Sequence, residues 1–256
     1  MSDSKKVFDM IKEHNVQYVD FRFTDPRGKW QHTAQAVSTV EEDTFVDGIM
    51  FDGSSIAGWK DINESDMCLL PDANTAVMDP FSAQTSLILF CDVLEPTTGQ
   101  GYSRDPRSSV KRAEAYLNST GIGDTASFGP ELEFFVFDDV RYDVSMNNTF
   151  YSVDEEEGPY NTGRAFEGGN VGHRPGIKGG YFPVQPVDSH SDLRAEMLTV
   201  MQEMGLDTEK HHHEVAPSQN ELGVRFTNLL QAADWVQLYK YVVHNVAHSY
   251  GKTATF

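Results

Sequence analysis

The sequence has few cysteines, few basic residues and no long apolar run. Its two cysteines, Cys68 and Cys91, fit no disulfide framework, so we expect reduced thiols and a cytoplasmic protein. Lysine and arginine together number 20 against 39 acidic residues, which gives a net charge of −19. This deficit of positive charge argues against binding to nucleic acid or to anionic membranes, because both require a cationic surface. No apolar stretch approaches the length of a membrane span.

The composition is that of a folded globular chain. Hydrophobic residues make up 39% and aromatic residues 11% of the 256 positions. This length is ample for one large domain or two smaller ones. The segment Glu95–Gly101 has the proline, threonine and glycine content of a linker. We therefore divide the chain into residues 1–100 and 101–256.

Hydrophobic periodicity and turn residues predict helices and strands in both parts, so we predict a chain of the α+β class. The predicted elements are a helix carrying Val7, Met10, Ile11 and His14, a hairpin from Val19 to Thr33 around the turn Asp25–Gly28, a strand Leu87–Val93, a helix between Asp105 and Gly121, a strand Phe128–Phe137, a helix with an apolar stripe from Leu193 to Met204, and a helix from about Ala232 to Ser249. The methionines of the apolar stripe are interpreted as core residues.

Four glutamates occur in two short clusters among residues that are typical of core strands. The clusters are Gly129–Phe135, with Glu131 and Glu133, and His211–Glu221, with Glu214 and Glu221. Alternate side chains of a strand share a face, so Glu131 and Glu133 are predicted to point the same way. Paired carboxylates repel each other unless a cation lies between them, and oxygen ligands suit Mg²⁺ or Mn²⁺. A solvated acidic strand face is the alternative interpretation.

Other segments carry weaker signals. The acidic run Asp154–Glu157 predicts a solvated loop. The three consecutive histidines His211–His213 have the wrong spacing for a helical zinc pair, so we predict that most of them are structural or support nearby ligands. Met50–Trp59 predicts a flexible loop that places an acid over a pocket, or a plain turn. Gly168–Tyr181 has the glycines and basic residues of a phosphate-binding loop but not the spacing of a P-loop.

Taken together, these segments resemble bacterial-type glutamine synthetase, and the resemblance covers essentially the whole chain. The matching motifs, in order, are Phe51–Ser55, Asn63–Met67, Phe128–Phe135, Gly172–Ser189, His212–Ala216 and Tyr241–His248. The fold implied by the resemblance is a small β-grasp-like amino-terminal domain, residues 1–100, followed by the first half of the α+β catalytic domain, residues 101–256.

The resemblance also implies a metal site. Glu133, Glu214 and Glu221 would hold the tighter of two Mg²⁺ or Mn²⁺ ions. Glu131 would contribute to a second ion beside the phosphates of ATP. These assignments agree with the argument from paired carboxylates.

Four further residues match substrate positions of the family. Asp52 matches the acid that takes a proton from ammonium, and in this family that acid reaches into the active site of the adjacent subunit. Ser55 lies on the same loop. Glu209 and Phe226 match positions that line the nucleotide pocket.

The function implied by the resemblance is that of a glutamate–ammonia ligase, which makes glutamine from glutamate, ammonia and ATP through γ-glutamyl phosphate. Family members form homo-oligomers of two stacked hexameric rings with active sites between subunits. Two alternatives remain: a ligase of glutamate with another amine, and a non-catalytic structural or regulatory subunit. The complete Asp52 loop favours ammonia. Family members carry further active-site residues after the position of Phe256, so we expect a chain of this length to be inactive alone.

Overall fold

The computed structural model describes residues 4–160 and 170–256 and divides into two compact units. The first unit comprises Met1–Ser127 and Asn228–Asp234, and the second comprises Phe128–Thr227 and Trp235–Phe256. The helices are α1 Ser4–Glu13, α2 Thr44–Asp47, α3 Pro106–Thr120, α4 Ser191–Glu203 and α5 Leu229–Ser249. The strands are β1 Tyr18–Thr24, β2 Trp30–Ala36, β3 Ile49–Asp52, β4 Asp66–Met78, β5 Ser86–Leu94, β6 Ser127–Phe128, β7 Glu133–Phe137, β8 Asp139–Val144, β9 Thr149–Asp154, β10 Thr208–His213, β11 Gln219–Val224, β12 Thr227–Asn228 and β13 Thr253–Thr255. The chain is therefore of the α+β class, as predicted.

The first unit is built on a mixed five-stranded sheet in the order β2-β1-β5-β4-β3. Strands β1 and β5 run parallel, whereas the other neighbours are antiparallel. The core of the unit includes α1 and alternate residues of the central strands, among them Val7, Phe21, Leu69, Leu87 and Leu89. Burial of this apolar face is the main force that holds the sheet. Cys68 and Cys91 are both buried and carry free thiols.

The predicted hairpin is confirmed as β1 and β2. One carboxylate oxygen of Asp25 accepts hydrogen bonds from the backbone N–H groups of Arg27 and Lys29, each at 2.9 Å. Gly28 has a φ of 77°, a left-handed conformation that glycine adopts without steric cost. The turn residues therefore set the register of the two strands.

Helix α3 begins and ends where its capping residues predict. The side chain of Asp105 accepts a hydrogen bond from Ser108 N at 2.9 Å, and Pro106 occupies the first helical position. Gly121 follows the helix with a φ of 68°. These local interactions explain why the sequence predicts both ends of the helix correctly.

The second unit contains an antiparallel sheet in the order β10-β11-β7-β13, and helix α4 contacts β10. The predicted methionine stripe is confirmed as core, because Met197 and Met201 are fully buried. Helix α5 begins at Leu229, three residues before the predicted start at Ala232. Within the described residues, no helix has the length and apolar character to cross a membrane.

The prediction of one continuous strand from Phe128 to Phe137 is wrong. Strand β6 ends at Phe128 and β7 begins only at Glu133. Pro130 has no N–H group to donate to a strand partner, and the carbonyl of Leu132 instead accepts a hydrogen bond from the Tyr239 hydroxyl at 2.8 Å. Glu131 therefore precedes β7 and does not lie on a strand with Glu133.

The prediction that the acidic run Asp154–Glu157 is a solvated loop is also wrong for two of its members. Glu155 is 6% exposed and Glu157 is 1% exposed. A carboxylate can be buried at little cost when hydrogen-bond donors surround it, and Glu157 accepts hydrogen bonds from three residues that are distant in sequence. Composition alone cannot reveal those partners.

Candidate metal centre

Three side chains of the candidate site form a row across neighbouring strands of the second unit. Glu221 on β11 lies opposite His212 on β10 and opposite Glu133 on β7. Residues directly opposite each other in an antiparallel sheet place their side chains on the same face. The register therefore brings two predicted ligands and one histidine to a single face of the sheet.

Glu214, just after the end of β10, completes the cluster. One ligand atom from each of His212, Glu214 and Glu221 lies within 4.8 Å of the other two. His212 Nδ1 is 3.4 Å from Glu214 Oε1, and His212 Nε2 is 3.5 Å from Glu221 Oε2. Glu214 and Glu221 are 8% and 7% exposed, so these carboxylates are poorly hydrated. Such a convergence is what a bound cation requires.

The electrostatics of the cluster also favour a cation. Burial is the largest cause that raises the pKa of Glu221 above its usual value, and His212 opposes this effect. The negative charges of Glu214, Glu131 and Glu133 raise the pKa of Glu221 further. Glu131 therefore interacts with the cluster although it lies outside the strand. A divalent ion would relieve this repulsion.

The donor set fits a hard divalent ion. Carboxylate oxygens suit Mg²⁺ and Mn²⁺, and an imidazole nitrogen suits Mn²⁺ better than Mg²⁺. His212 was not predicted as a candidate ligand, because spacing in the chain does not reveal which of three adjacent histidines faces the glutamates. The two flanking histidines make other contacts. His211 accepts a hydrogen bond from Arg194, and His213 forms a hydrogen bond with Glu157.

Asp52 and Ser55 belong to the first unit, where β3 ends in a 3₁₀ turn over Gly53–Ser55. One oxygen of Asp52 accepts hydrogen bonds from the Ser54 hydroxyl at 2.6 Å and from Ser54 N at 2.9 Å. The hydroxyl bond, followed by the N–H bond, lowers the pKa of Asp52 below its usual value. A Cβ on Gly53 would overlap the Met67 side chain, so only glycine fits this close turn.

Glu209 and Phe226 flank the outer end of the β10–β11 pair. Glu209 lies on β10, and its Oε1 is 3.3 Å from Nε of Arg225. Phe226 follows β11 and is 72% exposed. A Cβ on Gly129 would lie only 3.3 Å from the Cβ of Phe226, so glycine allows the two segments to approach. The nucleotide-binding role of Glu209 and Phe226 stays a prediction.

The glycine-rich segment Gly168–Tyr181 lies partly outside the described residues, since Gly168 and Gly169 are not among them. Its described end is Tyr181, whose ring centroid lies 4.0 Å from that of the next residue, Phe182. The ring of Phe182 packs edge-on against His212 at 4.9 Å. These aromatic rings restrict the orientation of the histidine that faces the carboxylates. The phosphate-binding role of the loop stays a prediction.

Comparison with known proteins extends over the full chain. Residues 15–96 match the family described as "Glutamine synthetase, beta-Grasp domain", and residues 103–256 match "Glutamine synthetase, catalytic domain". The predicted β-grasp-like amino-terminal domain followed by part of the catalytic domain is thus confirmed.

Individual relatives agree with this result. The chain is 68% identical over 256 residues to glutamine synthetase of Azospirillum brasilense, covering 100% of this chain and 55% of that protein. It is 58% identical over 251 residues to a protein of Cupriavidus pinatubonensis named 3-hydroxylaminophenol mutase, covering 98% of this chain and 53% of that protein. The fold also superimposes on the cryo-EM structure of Plasmodium falciparum glutamine synthetase with a TM-score of 0.90 and 25% identity, covering 100% of this chain and 50% of that one.

The chain thus spans about half the length of the curated relatives it matches. The family profiles, the sequence identity and the fold all point to the same conclusion. The chain belongs to the glutamine synthetase family.

Proposed function

We propose that the complete protein containing this chain is a cytoplasmic glutamate–ammonia ligase of glutamine biosynthesis. It would form glutamine from glutamate, ammonia and ATP through γ-glutamyl phosphate. The observation that carries the proposal is the row of His212, Glu221 and Glu133 with Glu214 beside it, in a chain that glutamine synthetases match along its whole length. The free thiols of Cys68 and Cys91 suit a reducing compartment.

In this proposal, Glu133, Glu214 and Glu221 hold one Mg²⁺ or Mn²⁺ ion, and Glu131 contributes to a second. When bound, the ions offset the repulsion between the triphosphate and the γ-carboxylate of glutamate, which are both anions. The chain itself orients the ligands. Gln219 Nε2 donates to Glu133 Oε2 at 2.5 Å, and Val215 N donates to Glu214 Oε2 at 3.1 Å.

The substrates would meet the remaining predicted residues. Phe226 would contact the base of ATP, and Glu209 would contact its sugar. Asp52, with Ser55 on the same turn, would first attract ammonium and then accept its proton, because only neutral ammonia can attack the acyl phosphate. The hydrogen bonds from Ser54 favour the ionised form of Asp52 and lower its pKa, and a carboxylate suits the first of these roles.

The test is the release of phosphate by the complete protein with Mg²⁺ or Mn²⁺. Release that needs ATP, glutamate and ammonium together would support the proposal. Faster release with methylamine than with ammonium would favour a ligase for another amine. Metal binding without any release would favour a non-catalytic subunit. Conversion of 3-hydroxylaminophenol by a protein that releases no phosphate would also overturn the ligase proposal.

The role of Asp52 leads to a prediction for Asp52→Asn. The amide cannot accept the proton of ammonium, so we expect the rate of glutamine formation to fall by about 10²- to 10⁴-fold. The measurement is kcat and KM for ammonium in the phosphate-release assay. The matched control is Asp61→Asn, which makes the same change at an exposed aspartate nine residues away. Equal rates for the two variants at every ammonium concentration would contradict the role of Asp52.

We further propose that the complete protein is a homo-oligomer, with two stacked hexameric rings as the expected form. The hairpin of β8 and β9 supports assembly. Tyr142 and Tyr151 lie directly opposite each other, and Val140 and Val144 share their face. Tyr142 is 73% and Tyr151 is 78% exposed. A two-stranded hairpin is at best marginally stable alone, so an apolar face of this kind favours contact with a second copy.

Replacing Tyr142 and Tyr151 together with serine is expected to weaken assembly, because it removes the two largest apolar groups from this face. We expect sedimentation velocity to show smaller species at micromolar protein. Tyr116→Ser is the control, since Tyr116 on α3 is also 73% exposed but lies in the other unit. An unchanged sedimentation profile for the double variant would rule out the hairpin face as an essential contact.

A further inference from the structure

Glu157 has an environment that the proposed chemistry does not explain. It lies between β9 and α4, and it is 1% exposed. Its Oε1 accepts hydrogen bonds from Ser189 Oγ at 2.6 Å and Ser189 N at 3.2 Å. Its Oε2 accepts from Ser218 N at 2.6 Å and lies 2.7 Å from His213 Nε2. One buried carboxylate therefore joins three separate segments of the second unit.

His213 links the Glu157 carboxylate to the backbone of Glu214. Its Nε2 faces the Glu157 carboxylate, and its Nδ1 lies 2.5 Å from the Glu214 carbonyl oxygen. Both partners are acceptors, so both ring nitrogens must carry hydrogens if both hydrogen bonds form. The buried imidazole of His213 therefore bridges the Glu157 carboxylate and the backbone of Glu214.

Ser218 links Glu157 to the far end of the turn formed by residues 214–218. It has a φ of 59°, a left-handed conformation that is uncommon for residues other than glycine. The hydrogen bond from Ser218 N to Glu157 helps to hold this conformation. The next residue, Gln219, donates to Glu133 and accepts from Ala216 N at 3.0 Å. The orientation of Gln219 therefore depends on the turn that Glu157 holds.

We propose that Glu157 is a positioning residue for the metal centre. It holds both ends of the turn 214–218 through His213 and through the N–H of Ser218. This turn positions the side chain of Glu214 and, through Gln219, the side chain of Glu133. This inference rests on the proposed function only in requiring that these carboxylates bind a divalent ion.

The test is Glu157→Gln in the complete protein, with Mn²⁺ as the probe. Glutamine keeps the size of the side chain, but its amide nitrogen cannot accept the hydrogen bonds that the second carboxylate oxygen of Glu157 accepts. Groups that orient metal ligands typically contribute 10- to 100-fold in affinity, so we expect the Kd for Mn²⁺ to rise by about that factor. Free Mn²⁺ can be counted from its electron paramagnetic resonance signal. A role confined to folding would lower the melting temperature and leave the Kd of the folded protein unchanged.

Glu156→Gln is the matched control, since it makes the same change at the adjacent, less buried residue and should leave the Kd unaltered. Ser189→Ala removes one hydrogen bond to Glu157 and keeps its contacts with His213 and Ser218. We expect it to fold and to raise the Kd by about two- to tenfold, the effect of one hydrogen bond. If Glu157→Gln does not fold, this milder variant decides the question. An unchanged Kd in folded Glu157→Gln or in folded Ser189→Ala would overturn the proposal.

The outcomes also separate this inference from the proposed function. A protein that lacks ligase activity but shows the shift in Mn²⁺ affinity would support the positioning role and contradict the ligase. An active ligase with the same Kd for Mn²⁺ in wild type and Glu157→Gln would support the proposed function and contradict the positioning role.

Discussion

Replacing Glu221 with glutamine is expected to lower the affinity of the complete protein for Mn²⁺ on the order of a thousandfold. Glu221 occupies the centre of the site, opposite both His212 and Glu133 and beside Glu214. Two unit charges about 4 Å apart interact by roughly 4 kcal/mol at an effective dielectric constant of about 20, and even this interaction, which is weaker than that with a divalent ion, corresponds to about a thousandfold in Kd. Loss of that charge should also slow phosphate release, because less of the protein carries the ion at a given Mn²⁺ concentration.

Without metal, Glu221→Gln is expected to be at least as stable as wild type. Repulsion from Glu214, Glu131 and Glu133 helps to raise the pKa of Glu221, which means that its ionised form opposes folding at neutral pH. Glu221→Gln removes that charge, so we expect its melting temperature in chelator to equal or exceed that of wild type. Added Mn²⁺ should then raise the melting temperature of the wild type but not of the variant.

Glu203→Gln is the control for both measurements, since Glu203 is an exposed residue at the end of α4. It should match wild type in metal affinity and in melting temperature. A Kd for Mn²⁺ within about tenfold of wild type in Glu221→Gln would show that the ion binds elsewhere, because one lost ligand of three should cost far more than that.

Replacing Arg107 with methionine is expected to destabilise the protein by about 3–5 kcal/mol. Arg107 lies in the first turn of α3 and is 6% exposed. Its guanidinium group contacts Asp72 at 3.1 Å, Asp92 at 2.9 Å and Asp234 at 2.8 Å. The substitution would leave three poorly hydrated carboxylates without this shared counter-charge. Denaturant unfolding of the complete protein, followed by circular dichroism, measures the loss.

The pH dependence of this loss identifies its cause. Burial raises the pKa of Asp72 and of Asp234, and the hydrogen bonds and charge of Arg107 oppose this effect. Without Arg107, both carboxylates should therefore take up a proton at a higher pH in the folded state than in the unfolded state. A carboxylate with a raised folded pKa opposes folding above that pKa, so the deficit should be full near pH 7 and should shrink as pH falls towards about 4. A deficit that is independent of pH would indicate lost packing instead.

Arg112→Met is the matched control for Arg107→Met, because it makes the same substitution on the exposed part of the same helix. The Arg112 side chain donates to Ser103 O at 3.1 Å and to Ser109 Oγ at 2.8 Å, and it touches no carboxylate in the described hydrogen bonds and ion pairs. We expect a change of about 0.5 kcal/mol or less. A similar loss in both variants would refute the importance of the buried charge cluster.

The elements that could be predicted from sequence are those whose cause is local. The β1–β2 hairpin depends on the Asp25–Gly28 turn, and α3 depends on Asp105 at its start and Gly121 at its end. The apolar stripe of α4 has a helical period that identifies its buried face. Each signal lies within a few residues of the feature that it predicts, so no knowledge of the rest of the chain was needed.

The predictions that were wrong concern residues whose partners are distant in sequence. The carbonyl of Leu132 bonds to Tyr239, more than one hundred positions later, and the strand starts one residue after it. Glu157 was interpreted as part of a solvated acidic run, yet its partners are Ser189, His213 and Ser218. Neither contact leaves any trace in local composition or periodicity.

The α+β class, the turn and cap residues, the four glutamates and the family to which they belong could all be predicted from the amino-acid sequence. The groups that face those glutamates emerge only when the chain is folded. The register of β10, β11 and β7 selects His212 from three adjacent histidines, and the fold buries Glu157 beneath the turn that carries Glu214. Local conformation depends on neighbours along the chain, whereas burial, charge pairing and metal coordination depend on neighbours in space.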